Sequence, residues 1–118
     1  MRWEFQLRVA GAEGGAAAIL IDTTYADIED ACGVLAGPEP AWLDFFMSPA
    51  AALAPYEVKL VPGGRYSKEE ALSALGGLRS CLERHGGHEE LIRWLGWAEE
   101  AVGKTRPEAR FDTVIQDD

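Results

Sequence analysis

Between Arg2 and Val9 apolar and polar residues alternate strictly, with Trp3, Phe5, Leu7 and Val9 on one side and Arg2, Glu4, Gln6 and Arg8 on the other. A period of two is that of a half-buried strand. The run Gly11, Ala12, Glu13, Gly14, Gly15 predicts a turn, and the apolar run that follows ends at Ile19, Leu20 and Ile21, so the chain is expected to open with a β-hairpin. At Asp22, Thr23 and Thr24 the period changes. Each of these residues can cap a helix, and Thr24 with Asp27 has capping-box spacing. The helix stripe is Tyr25, Ile28, Cys32 and Leu35, with Gly37, Pro38 and Pro40 closing it; Asp27, Asp30 and Val34 are expected to face away from the core.

From Ala41 to Pro55 the pattern is dense rather than periodic. Trp42, Leu43, Phe45, Phe46 and Met47 predict one short helix, and the small residues between Pro49 and Pro55 a loop. Tyr56, Val58 and Leu60 then alternate with Glu57, Lys59 and Val61 as a third strand, ended by Pro62, Gly63 and Gly64. The next helix has the plainest start in the chain, with Ser67 and Glu70 as a capping box ahead of Ala71, Leu75, Leu78 and Leu82. Gly76 and Gly77 in its middle predict a close crossing or a bend, and Gly86 and Gly87 its end. A further helix from about His88 to Val102 carries Leu91, Leu95, Ala98 and Val102, with Gly103 beyond it. After Pro107, the alternation of Phe111, Thr113 and Ile115 predicts a last strand, and Gln116, Asp117 and Asp118 a frayed tail.

The order is therefore β-β-α-(short α)-β-α-α-β. A first strand with a polar outer face suits a two-layer α+β sandwich, in which helices cover one face of a mainly antiparallel sheet of about four strands. The 118 residues, with no linker or repeat among them, are expected to form a single domain over 1–118. No apolar run approaches the ~20 residues of a membrane-spanning helix. The alternating N-terminus lacks the apolar block of a signal peptide, so a cytoplasmic location is expected. Two cysteines, Cys32 and Cys81, are too few for a disulfide scaffold and are expected as free thiols.

Charge changes the picture more than composition does. Between Arg8 and Lys59 there is no lysine or arginine, while Glu13, Asp22, Asp27, Glu29, Asp30, Glu39, Asp44 and Glu57 lie there, in a chain of formal charge -9. Such a surface repels a nucleic-acid backbone and steers toward basic proteins; its plain alternative is solubility. Trp97 falls on the polar side of its helix near Arg93 and Ala101, where it could anchor a partner unless the segment from Trp42 to Met47 covers it.

The motifs that would carry catalysis are weak. Cys81 and His85 share one helix face, but His88 and Glu89 lie beyond two glycines and supply no second Cys or Cys-His pair for a structural metal. Neither cysteine sits in a nucleophile motif, and the paired acids Asp27 and Asp30, or Glu99 and Glu100, are ordinary for solvated helix faces. Gly11 to Gly15 precedes a strand rather than a helix, and Gly63, Gly64, Arg65 lacks the rest of a phosphate loop.

The reading is a non-enzymatic acidic binder of a basic protein, of the kind an immunity protein or antitoxin represents against a toxin enzyme. It needs no cofactor or metal and binds neither nucleic acid nor membrane. Its expected contacts are Asp27, Asp30, Glu39 and Asp44, with Trp42 and Trp97 as anchors. Two alternatives stand beside it. One is a dimeric accessory or chaperone-like protein whose homodimer interface buries Trp42 to Met47; the other is a small thiol-dependent enzyme using Cys81 with His85.

Overall fold

Strand pairing begins where the alternation is strictest. In the computed structural model, which describes residues 3–10, 18–35, 37–47, 50–52 and 64–117, β1 (Trp3–Val9) pairs antiparallel with β2 (Ala18–Thr24) and with β5 (Arg110–Asp117). β1 takes one edge of β5 along its length. The other edge is shared end to end by two short strands: β4 (Tyr66–Ser67) runs antiparallel opposite Phe111 and Arg110, and β3 (Ala50–Ala52) runs parallel opposite Val114 to Gln116. Among the described residues the sheet has five strands, in the order β2-β1-β5-β3 with β4 off that path.

Among the described residues four α-helices complete the α+β fold: α1 (Tyr25–Cys32), α2 (Asp44–Met47, entered through a 3-10 turn at Ala41–Leu43), α3 (Lys68–His85) and α4 (Glu89–Gly103). They pack on the sheet face that carries Phe5, Leu7 and Phe111. One cluster joins those residues to Ile28, Phe46, Leu75, Leu78, Leu82, Leu95 and Val102, all fully buried. Removing that apolar area from water is the main drive to fold. α3 starts as expected: the Ser67 hydroxyl accepts from the Glu70 N–H at 3.1 Å, and the Glu70 carboxylate accepts from the Ser67 N–H at 2.9 Å. α4 follows after Gly86, Gly87 and His88, and Leu91, Leu95, Ala98 and Val102 all face the core, joined by Trp94.

Several expectations need correction. α1 ends at Cys32 rather than near Gly37, and Val34, expected to face away, packs against the core. The last strand runs on to Asp117, because Gln116 pairs with both Glu4 and Ala52; Gln116 and Asp117 are strand rather than frayed tail, and Asp118 lies outside the described residues. Gln6, expected on a solvated outer face, is only 5% exposed. Its side-chain oxygen accepts from Arg8 Nε at 2.9 Å and from the second guanidinium nitrogen. On the same face Asp112 and Val114 are also buried, so this side of the sheet is packed as well, with polar and apolar residues side by side. The strand expected at Tyr56 to Val61 and the turn at Gly11 to Gly15 lie outside the described residues.

Two local features place the surfaces discussed below. At Gly77 a Cβ would stand 2.7 Å from the Trp42 indole, so the bare helix position lets Trp42 lie against α3. The expected close approach is real at this residue, with a side chain rather than a helix as the neighbour. In β2 the register slips between Leu7 and Arg8, which pair with Ile21 and Ile19, and Leu20 is left as the extra residue of a bulge. Leu20 packs against the core beside α4.

Candidate functional site

Within the acidic stretch, α1 and the segment through α2 both present carboxylates to solvent. Asp27, Glu29 and Asp30 are exposed on α1, whose buried side is Ile28 and Ala31, and Glu39 is exposed ahead of the 3-10 turn. An open groove of about 540 Å³ runs between these elements. Glu29, Glu39 and Asp44 stand on its rim, and Cys32, Leu43 and Met47 line its apolar floor. Long basic side chains fit such a surface well, because the aliphatic stem covers apolar atoms while the charged head reaches the rim.

Asp44 is the ridge between this groove and a second one of about 420 Å³, lined by Trp42, Phe45, Tyr66, Glu69 and Glu70. Asp44 already holds a cation: Arg65 lies 3.1 Å from Oδ2 and its guanidinium sits 5.3 Å from the centre of the Tyr66 ring. The Tyr66 hydroxyl donates to the same oxygen at 2.9 Å. Both Arg65 and Asp44 are exposed, so this pair adds little stability.

Burial, followed by the hydrogen bond to Asp44, pushes the Tyr66 phenol up to about 12. An unfolded tyrosine ionises near 10. The contribution is therefore present below pH ~10 and is lost as the pH rises through about 12. Ultraviolet titration should accordingly find a tyrosine step well above the ordinary range, and Tyr66→Phe should remove the latest part of it.

The expected contact residues do not form one patch. Glu39 and Asp44 share the first groove, which also recruits Glu29. Asp27 lines a separate recess with His88, Glu89 and Glu90, while Asp30 is exposed on α1. Trp42 is half-buried, edge-on to Phe46 with ring centres 6.0 Å apart. Trp97 is 56% exposed and lies elsewhere, in a shallow groove with Leu20, Ala101 and Thr105. The segment from Trp42 to Met47 therefore leaves Trp97 uncovered. Phe45 and Phe46 from that segment are buried in the chain's own core, with Met47 exposed.

Sequence reasoning passed over Glu29, Tyr66, Glu69 and Glu70 as neighbours of this site. The position of Glu29, three residues before Cys32 on α1, was the available signal. The cysteines lie on α1 and α3, both half-buried and free. Burial, with smaller contributions from Cys81 and Glu29, pushes the Cys32 thiol up to about 11, so at neutral pH it is a protonated packing group. His85 is exposed in the last turn of α3, and no hydrogen bond joins it to Cys81 among the described residues. Comparison of the chain with protein-family models, with curated proteins and with solved structures finds no match.

Proposed function

We propose that this chain is a binding module for a basic protein, and that the α1–α2 surface receives lysine and arginine side chains of that partner. Its most specific form is an immunity or antitoxin-like inhibitor, which neutralises a basic toxin enzyme by covering the enzyme's cationic site. One observation carries the reading. Asp22, Asp27, Glu29, Asp30 and Glu39 are exposed and make no ion pair among the described residues. The described ion pairs of Arg79 and Lys104 instead use Glu83, Glu99 and Glu100 on α3 and α4. Unscreened charge of one sign accelerates encounter with an oppositely charged partner, and acids that become desolvated against it fix the register.

The two kinds of acid separate in a kinetic experiment. Glu39→Lys, at the rim of a groove with an apolar floor, should chiefly speed dissociation of the complex and weaken binding most, by about 2–5 kcal/mol where its partner charge is left buried. Asp30→Lys, on the open side of α1, should chiefly slow association and reduce its dependence on salt. Unchanged rate constants in both variants would remove the proposal's basis.

A further inference from the structure

We infer that the Trp97 face of α4 is the interface of a two-fold homodimer. It is a surface distinct from the acidic grooves, and it stands on a different observation. Along the exposed side of α4 the order is Glu90, Arg93, Trp97, Glu100, Lys104, alternating in sign about a central indole. Glu90 and Lys104 each lie seven residues from Trp97, roughly 10.5 Å along the axis and within one face of the helix.

A second α4 laid antiparallel against the first, about a two-fold beside Trp97, sets Glu90 opposite the other copy's Lys104 and Arg93 opposite its Glu100. Each pair recurs by symmetry, as an isologous interface requires. Trp97, 56% exposed, lies at the centre, and the shallow groove beside it offers the opposing indole Leu20 and Ala101, with Glu100, Lys104 and Thr105 around them. Elsewhere two copies of a chain of charge -9 repel one another; along this strip the charges of two acids and two bases cancel. Arg93 makes no ion pair among the described residues, and Lys104 holds Glu100 only through an exposed 3.3 Å contact that a partner's charge readily joins. One helix face is smaller than the ~800 Å² that each partner gives to a standard interface, so the dimer dissociates on dilution.

The test is sedimentation equilibrium of the full chain across a wide concentration range, with far-ultraviolet circular dichroism to confirm that each variant is folded. The wild type should move from 12.8 kDa toward twice that mass as concentration rises. Trp97→Ala removes the anchor from both copies and should weaken dimerisation about a hundredfold. Arg93→Glu should weaken it about tenfold, and Arg93→Glu with Glu100→Arg, which restores opposite charges across the two-fold, should recover it. A wild type that stays monomeric at every concentration overturns the inference. So does a dimer of undiminished affinity in Trp97→Ala and Arg93→Glu, which places the contact on another face, or a double variant no better than Arg93→Glu.

Discussion

Replacing Trp94 by alanine is expected to destabilise the chain by about 3–5 kcal/mol, the range for truncating a large buried aromatic. Trp94 is 6% exposed and stands edge-on to Phe5 with ring centres 6.0 Å apart. Its indole N–H donates to the Asp22 carbonyl at 2.5 Å, which ties α4 to β2. Alanine would leave a cavity and an unanswered acceptor. Trp94→Phe separates the two losses: it keeps an aromatic ring near Phe5 and should lose about 1 kcal/mol with the hydrogen bond, plus part of the packing. Urea unfolding followed by circular dichroism measures both. Because a domain is stable by only ~5–15 kcal/mol in total, the alanine variant should show a large fall in its midpoint. A loss below about 1 kcal/mol would mean that α4 is not anchored to the sheet through this residue.

Asp112→Ala should cost about 3 kcal/mol, the second largest loss of folding stability expected of a single change. Asp112 is 8% exposed in β5. Its carboxylate accepts from the Arg65 N–H at 2.9 Å and the Gly64 N–H at 3.2 Å, and its charge faces Arg8. Arg110 closes the same turn from the other side, donating from Nε to the Gly64 carbonyl at 3.0 Å. The turn that leads into β4 and the α3 cap is thus held against β5 at both its donors and its acceptors. Gly64 has φ +64, and a Cβ there would stand 2.1 Å from the Arg110 Cβ, so the approach depends on glycine. With alanine at 112 two backbone donors lose their acceptor, whereas Asp112→Asn keeps one carbonyl and should lose about half as much. The same urea experiment ranks the three proteins; equal stability of the alanine and wild-type chains would remove the clamp from the account.

The elements legible in the sequence are those whose signal is local. The capping box at Ser67 and Glu70 is formed as read, and the stripe from Leu91 to Val102 faces the core, because a helix brings residues three and four apart together whatever it packs on. β3 could not be read. Ala50, Ala51 and Ala52 have neither alternation nor strand propensity, and their pairing is supplied by β5, more than sixty positions away. β4 is only two residues long, and Ser67 serves it and the α3 cap at once. The burial of Gln6 was hidden for a related reason: alternation marks it as outward, while Arg8, two residues on, and the packed Asp112 and Val114 make the outward face dry.

At the candidate surfaces, helical phase set Trp97 on the polar side of α4 but left open whether the segment from Trp42 to Met47 covers it; the fold leaves it exposed. Trp94 escaped notice because it sits one position before Leu95 at the margin of the stripe, and the sheet, through Phe5 and the Asp22 carbonyl, is what gives its ring and its N–H partners. The acidic grooves depend on α1 and α2 meeting across the core, which brings Glu29 to Glu39 and Asp44, and no spacing along the chain encodes that meeting. The neutralisation of Asp44 by Arg65, 21 residues on, is likewise a product of the fold.

The measurement that bears most directly on the proposed function is affinity capture from a lysate of the source organism at low salt. It compares the wild-type chain with the folded triple variant Asp27→Lys, Asp30→Lys, Glu39→Lys, using stepped salt elution and mass spectrometry. The account predicts that the wild type retains a basic protein in stoichiometric amount, that rising salt releases it, and that the triple variant fails to retain it. Retention of the same proteins by both chains, or of none by the wild type, would contradict it.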